Sequence, residues 1–359
     1  MTETLKANML NPTTIENIDL LIIGAGPAGL AAAVEAQRGG ISNLLVVEKG
    51  PSHSQMIRTY YKEGKRVDAQ YAGVEALCFG ILCLRDGNRE SYLAMMDYVI
   101  GSSRIPIRYN TEIWSLMAVP GTDGFDVRTA NGLRYLAKFV IVAIGKMGRP
   151  RQPDYYREIP GVLKNEKRIL FDINTRPFDG AKVLVVGGGD SAAEYAQMLS
   201  VKNEVTLSYR QASFTRLNSI NEKVMAEMIA QKKFRVLMPS NIVKIEDNGG
   251  RPSVNFAEPQ YAPEVFEAVL FGLGGMTPVA LLQTAGVQLD LKGEPVTDAA
   301  HESSVPKLYI IGDLIGHGHG GGSIISGFNS ASRAVRHLLE RYLKWPLPPE
   351  MVSLDHLLN

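Results

Sequence analysis

The chain has 359 residues, 45% of them hydrophobic and 21% charged, which is ordinary globular composition with length for two or three domains. Thirty-eight basic against 37 acidic residues leave a formal charge of +1, which gives no electrostatic footprint for nucleic acid or an anionic membrane. Two cysteines make no disulfide framework, and a reducing compartment predicts that they stay thiols unless they serve redox chemistry.

The opening MTETLKANMLNPTTIENID has no basic region followed by an apolar one, so a cytoplasmic protein without a secretory signal is expected. Ile18 to Ile23 is then a nearly unbroken apolar run, the pattern of a parallel strand covered on both faces. Gly24, Gly26 and Gly29 follow at once. Their spacing suits a sharp reversal, a close backbone approach to a pyrophosphate, and tight packing of the next helix on the strand. That helix is predicted from Pro27 to about Arg38, with proline in its first turn and Gly39-Gly40 beyond its end. Its partner-less N–H groups suit a diphosphate. Asn43 to Val47 reads as a second strand ending in Glu48. An acid about 20 residues past such a turn accepts from ribose hydroxyls and repels a 2′-phosphate. The apolar stretch Leu20 to Ala36 is broken by glycines and proline, so it is not a membrane span.

Residues 51–107 are less regular. Arg58, Lys62, Lys65 and Arg66 fall among aromatics, as a solvated surface or as a docking face for an acidic partner. Cys78 and Cys83 sit among Leu77, Phe79, Ile81, Leu82 and Leu84, which favours buried, inert thiols. Asn131-Gly132 between Phe125–Thr129 and Leu133–Ala137 predicts a two-residue hairpin. Phe139 to Ile144 then runs into the Gly145, Lys146, Met147, Gly148 turn and the linker GRPRQP.

Lys182 to Gln197, KVLVVGGGDSAAEYAQ, repeats the opening, with Gly187, Gly189 and Ala192 in the three critical places. Its second strand, Glu204 to Tyr209, ends in Arg210 and Gln211, with Arg216 soon after. Cations there favour a 2′-phosphate. Asn248-Gly249-Gly250 marks a turn between strands, and Val269 to Phe271 exits through Gly272, Leu273 and Gly274. Last, Lys307 to Gly312 precedes Asp313 and a glycine-rich loop carrying His317 and His319, and a helix is predicted from Ser323 to about Tyr342. The two histidines lack a zinc spacing and any Cys or acidic company, so no metal is expected.

The two glycine turns, the AIG and GLG strand exits and the terminal IIGD together resemble the two-dinucleotide-domain flavoproteins of the thioredoxin reductase-like branch, over nearly the whole chain. The resemblance implies an α/β fold of two Rossmann-like (FAD/NAD(P)-binding) domains with three-stranded β-meander insertions, the NAD(P) domain inserted into the FAD domain. It assigns residues 1–150 and 276–343 to FAD, 151–275 to NAD(P)H and 344–359 to a C-terminal tail. It further implies that Gly24, Gly26, Pro27, Ala28, Gly29, Glu48, Lys49, Gln55, Met56, Ile113, Gly145, Gly312, Asp313, Ser323 and Ile324 hold FAD. Gly187, Gly189, Asp190, Ser191, Ala192, Tyr209, Arg210 and Arg216 would hold the nicotinamide nucleotide.

Thioredoxin reductases proper carry Cys-x-x-Cys shortly before the second glycine turn, where this chain reads NEKRILFDINTRPFDG without a cysteine. SHSQM, YKEGKR, AIGKMG and YRQASFTRLN are instead similar to flavodoxin:quinone reductases, beside the ferredoxin or flavodoxin NADP reductases of the thioredoxin reductase type. The implied activity is hydride transfer from NADPH to FAD and onward passage of electrons to flavodoxin, ferredoxin or a quinone-like acceptor, in a homodimer. NADH stays open, because relatives that select NADPH commonly have two basic residues where Arg210 is followed by Gln211. Three rivals remain: a disulfide reductase using Cys78 and Cys83, a flavin monooxygenase, and a redox sensor that binds both nucleotides. His317 and His319 beside the flavin or in a solvent loop, and Trp345 or His356 stacked on the flavin or packed at a dimer contact, are further alternatives.

Overall fold

A computed structural model of the chain describes residues 14–71, 74–75, 77–122, 124–146, 150–173, 175–217, 219–275, 279–315 and 322–351. In chain order the principal elements are β1 (Thr14–Ile23), α1 (Pro27–Arg38), β2 (Leu44–Val47), α2 (Gln55–Tyr60), α3 (Arg89–Ser103), β3 (Ile107–Arg108), β4 (Ile113–Ala118), β5 (Phe125–Thr129) and β6 (Leu133–Val142). Then come β7 (Ile169–Leu170), β8 (Lys182–Val186), α4 (Asp190–Leu199), β9 (Glu204–Ser208), α5 (Ser219–Ala230), β10 (Arg235–Leu237), β11 (Ile242–Asp247), β12 (Pro252–Phe256), β13 (Glu264–Val265) and β14 (Ala268–Phe271). Last are α6 (Val279–Thr284), β15 (Leu308–Ile310) and α7 (Ile324–Leu338). The chain divides into two compact units: Met1–Gln70, Glu75–Gly148 and Thr277–Asn359 form one, and Tyr71–Val74 with Arg149–Met276 the other.

In the first unit the strand order is β3-β2-β1-β6-β5-β4, with β15 also paired to β6. Alternation along β1 feeds two cores: Leu20 and Ile22 join α1 and α7 on one face, while Leu21 and Ile23 join Leu116, Val140 and Leu282 on the other. α1 is buried from Ala28 to Ala36 and apolar there except at Glu35, as a helix clamped between a sheet and a second helix must largely be. Complete burial of Leu30 there contributes about 1.5–3 kcal/mol.

The sequence suggests two strands between Leu133 and Ile144, and the structure makes them one. The first half of β6 pairs antiparallel with β5, from Arg134 opposite Arg128 to Ala137 opposite Phe125. Its second half pairs parallel with β15, from Val140 opposite Leu308 to Val142 opposite Ile310. Lys138 interrupts the apolar pattern without breaking the strand, because its ammonium lies 2.7 Å from the Asp19 carboxylate on neighbouring β1. The hairpin turn is at Asn131-Gly132, with Gly132 at φ +88°, but its loop is three residues, Ala130 to Gly132, rather than the two expected.

The second unit has a parallel sheet in the order β7-β14-β8-β9-β10 and a separate antiparallel sheet β11-β12-β13. β11 and β12 are joined through Gly249 and Gly250, both at positive φ. Each unit thus carries a parallel sheet with an antiparallel meander. Among the described residues no helix is long and apolar enough to cross a membrane.

Candidate nucleotide-binding sites

In the first unit β1 and β6 are adjacent and parallel, and their C-terminal ends form the point where strand order reverses, the usual ligand crevice of such sheets. Gly24 sits there at φ +107°, and a Cβ on it would lie 2.6 Å from the Ala143 carbonyl oxygen. A Cβ on Gly29 would lie 1.9 Å from the Gly24 oxygen. Gly26 differs: the nearest atom to its Cβ position is the Ala143 oxygen at 4.0 Å, so its face is open. It caps α1 without any side-chain hydrogen bond, which leaves the helix N–H groups for a ligand.

Glu48, 8% exposed, is aimed at this turn. Its Oε2 accepts from the Ala25 N–H at 2.9 Å and its Oε1 from the Gly50 N–H at 2.7 Å. Each oxygen keeps a lone pair for a hydroxyl donor. Lys49 beside it is exposed. Ala25 also accepts from the Ser54 N–H at 2.8 Å, which holds the start of α2, and with it Gln55 and Met56, against the turn. Gln55 is fixed by Ser52 Oγ at 2.9 Å and Thr59 Oγ1 at 3.2 Å. The Thr111 N–H donates to the Glu48 carbonyl, bringing the chain past the turn just before β4 starts at Ile113. Gly145 follows β6 at φ +60°.

The terminal segment closes on the same place. Gly312, at φ +71°, leaves its Cβ position 3.0 Å from the Ala28 Cβ, and that of Gly327 on α7 is 3.4 Å from it. Small residues on three segments therefore let α1 and α7 meet near their N-termini. Asp313 opens the 3₁₀ turn Gly312–Ile315 and is exposed. Ser323 and Ser326 form a capping box at the start of α7, so the N–H groups of Ile324 and Ile325 are the helix's outward donors.

The second unit repeats the turn with one exchange. Gly187 (φ +142°) lies against the Gly272 carbonyl, its Cβ position 2.4 Å away, and Gly189 has nothing within 4 Å of its own. Ala192 replaces the third glycine. Room for its methyl comes from Gly272, whose Cβ position is 2.9 Å from the Ala192 Cβ; the corresponding pair in the first unit is Gly29 and Ala143. The small residue has changed sides. Gly188 lies under the Tyr209 ring, 2.2 Å from its Cβ position, and Tyr209 stacks on Phe214 at 5.7 Å with planes 4° apart. Arg216 forms a backbone bridge to Gly189, and both it and Arg210 are exposed. Gln211 accepts from the Tyr209 hydroxyl at 2.8 Å and from Thr215 Oγ1 at 3.1 Å, so it organises the loop. Asp190 accepts from Asn221 Nδ2 at 2.8 Å, tying α4 to α5, and Ser191 follows it in the first turn of α4.

Three expectations need correction. Cys78 and Cys83 are not thiols but a disulfide, Cα–Cα 5.4 Å, with Cys83 exposed and Cys78 half-buried. The apolar neighbours in sequence do not enclose both sulfurs, because the segment lies on the outside of α1 and α7. Trp345 packs on Gly40, 3.5 Å from its Cβ position, beyond the C-terminal end of α1 and so away from Gly26. Arg58 belongs to no surface run: its Nε donates to the His53 carbonyl at 3.0 Å. Lys62 is half-buried, burial holding its pKa below the usual lysine range, while Arg66 pairs with Asp68 at 2.7 Å. Met147, Gly148, His317, His319 and His356 lie outside the described residues.

Sequence reasoning missed His53, 4% exposed beside the α2 cap. Its Nε2 lies 2.7 Å from Arg58 Nη2 and 2.9 Å from Asp97 Oδ1, and one ring nitrogen cannot accept from the first and donate to the second together. Burial lowers its pKa and so favours the neutral ring. Asp97 is 44 residues away, so no local pattern announces the group. Asp298, Glu302 and His337 bring ligand atoms within 4.8 Å of one another. Glu302 Oε1, however, already accepts from the Lys307 N–H and the Tyr342 hydroxyl.

The family model described as pyridine nucleotide-disulphide oxidoreductase matches residues 21–312. The chain belongs to that family. A ferredoxin–NADP reductase of Thermus thermophilus is 28% identical over 336 residues, covering 90% of this chain and 92% of its own. Among solved structures, the bacillithiol disulfide reductase of Bacillus cereus is 21% identical, with a TM-score of 0.75 over 91% of this chain and 100% of its own. T. acidophilum thioredoxin reductase is 22% identical, with a TM-score of 0.70 over 91% of this chain and 99% of its own. The structural likenesses give the two-domain thioredoxin reductase-like fold.

Proposed function

We propose that this member of the family is an FAD-dependent NADPH oxidoreductase that delivers electrons to ferredoxin, flavodoxin or a quinone-like acceptor without a thiol intermediary. The observation that carries the reading is chemical asymmetry between two matched turns: one is faced by the Glu48 carboxylate, the other flanked by Arg210 and Arg216. The residues fit the two nucleotides, since Gly26 and Gly189 leave open the backbone faces that a side chain would fill. When bound, FAD supplies two-electron acceptance from a hydride and one-electron release. On this reading Gly24, Gly26 and Gly29 receive its pyrophosphate at the start of α1, Glu48 accepts from its ribose, and Gly312 with Asp313 closes over it. The α7 N–H groups of Ile324 and Ile325 present fixed positive dipoles to the ring. Gly187, Gly189 and Ala192 receive NADPH, and Arg210 and Arg216 select its 2′-phosphate. A homodimer in the cytoplasm completes the proposal.

One observation favours a second reading: the Cys78–Cys83 disulfide is what a disulfide reductase would need. Anaerobic reduction of the FAD-loaded protein with NADPH or NADH, followed by mixing with ferredoxin, flavodoxin or a quinone, tests both. Flavin bleaching by NADPH and recovery on adding a carrier, undiminished in Cys78→Ser/Cys83→Ser, is the expected result. A protein that takes up no flavin, or whose double variant no longer passes electrons, removes the main reading.

A further inference from the structure

The disulfide closes a ring of residues 78–83, and the electron path proposed above gives it no task. Buried and half-buried side chains of α1 and α7 hold this ring by its backbone. The Ile81 N–H donates to Glu35 Oε1 at 2.6 Å, the Phe79 N–H to Asn329 Oδ1 at 2.9 Å, and Asn329 Nδ2 to the Leu77 carbonyl at 2.8 Å. The Phe79 carbonyl accepts from Arg336 Nη2 at 2.6 Å and Ser332 Oγ at 3.3 Å. The fit is close: a Cβ on Gly80 would lie 2.3 Å from Glu35 Oε1. Glu35, 1% exposed in the middle of an apolar helix, has no packing reason to be acidic, and its carboxylate reaches the ring.

Position separates the ring from the nucleotide turns. Glu35 is eight residues into α1, and Asn329, Ser332 and Arg336 are five, eight and twelve residues past Ile324 on α7. At 1.5 Å per residue the anchors lie roughly 8–18 Å along the helices from the N-termini that face a nucleotide. The two cysteines are unlike: residue Cys83 is exposed and Cys78 is half-buried against the first unit's core.

We propose that Cys78–Cys83 is an exchange site for small thiolates from solution, attacked at Cys83, and that its opening releases the 77–84 segment from α1 and α7. A thiolate attacks the Cys83 sulfur in line with the S–S bond, that bond breaks, and its electron pair leaves on the Cys78 sulfur, which takes a proton. A second thiolate attacks the added sulfur and frees the Cys83 thiolate, which also takes a proton. Two external thiols become one disulfide, and the protein disulfide becomes two thiols. Exposure selects Cys83 as the entry point, because an in-line approach to the half-buried Cys78 is obstructed by the core it packs on.

The test uses the full-length, FAD-loaded protein under argon with glutathione, with NADPH alone, or with buffer, followed by alkylation and peptide mass mapping. Glutathione adducts on Cys83 and not Cys78, a persistent Cys83 adduct when Cys78→Ser is given oxidised glutathione instead, which releases one glutathione thiol, and no new thiols with NADPH alone are expected. Backbone amides of Phe79 and Ile81 exchange hydrogen roughly ten-fold faster after opening, while flavin reduction by NADPH is unchanged. Adduct at Cys78, a disulfide that opens only in denaturant, amide exchange that does not change, or thiols appearing with NADPH alone would each overturn the proposal. The last would restore a flavin-linked dithiol.

Discussion

Gly272 and Ala192 divide one methyl-sized space, and Ala143 and Gly29 divide its counterpart with the roles reversed. Adding a methyl at Gly272 alone overfills the space. Gly272→Ala is expected to destabilise the second unit by about 1–3 kcal/mol and to weaken NADPH binding. Ala192→Gly on its own costs about 1 kcal/mol of helix propensity. Ala192→Gly removes only one of the close contacts, since a methyl at 272 also meets the Ala192 Cα at 2.8 Å and N at 2.9 Å, so the double variant should recover part of the Gly272→Ala loss; fully additive losses in a double-mutant cycle would refute the pairing. Glu35 gives a second test at this scale. Burial raises its pKa, outweighing the Ile81 N–H, the Arg336 charge and the Ser332 hydroxyl, and its Oε2 has no hydrogen-bond partner of its own among the described residues. The folded state therefore holds the proton up to a higher pH than the unfolded chain, so stability falls as pH rises from an ordinary glutamate value of about 4.3 through the raised one. Glu35→Gln keeps an acceptor for the Ile81 N–H and abolishes the titration. It should gain about 1–3 kcal/mol at neutral pH over the parent and lose the advantage near pH 4, read from denaturant melts across pH.

On the proposed function, the loop after β9 is where the choice between NADPH and NADH would be made. Arg210 leaves the end of the strand exposed, Arg216 returns to Gly189, and Gln211 secures the loop between them through Tyr209 and Thr215. Removing one guanidinium forfeits a charge-assisted bond to a phosphate, so Arg210→Ala or Arg216→Ala should weaken NADPH binding about 10–100-fold and leave NADH nearly unchanged. Equal losses for both nucleotides would mean the arginines do not meet the 2′-phosphate. The legibility of this region shows where sequence suffices. Apolar runs and glycine turns revealed β1, α1, β8 and α4 because two-sided burial and positive φ each restrict composition strongly. The places of Glu48 and Arg210 at the strand ends could be read because their distance from the turn is fixed by one helix and one strand. By contrast, His53 with Asp97, the Glu35 anchor beneath residues 78–83, and the exchange of glycine between positions 192 and 272 depend on tertiary neighbours. Cys78 and Cys83 misled for the same reason, since apolar neighbours in sequence do not report which side of a loop faces a core.

Among the described residues each hydrophobic core is drawn from one unit. In the second, one cluster gathers Val183, Val185, Ala192, Leu207 and Leu270 and the other Leu163, Leu184, Val254 and Phe266, all drawn from within Arg149–Met276. The strands of its parallel sheet and of its meander also begin and end inside that continuous segment. The first unit is built from separated stretches of chain, with β15 and α7 returning to β6 and α1 only after the second unit has been synthesised. The dependence is one-sided. A fragment of residues 149–276 should therefore fold on its own, whereas a chain ending at residue 276 lacks α7 and β15 and leaves α1 uncovered. NADPH at one hundred times its Kd should stabilise the fragment by about 2.7 kcal/mol, and FAD should have no effect on it. A calorimetric melt of the fragment with each nucleotide distinguishes the outcomes: an unfolded fragment, or one that answers to FAD instead of NADPH, would show that the second unit is not the self-contained holder of NADPH.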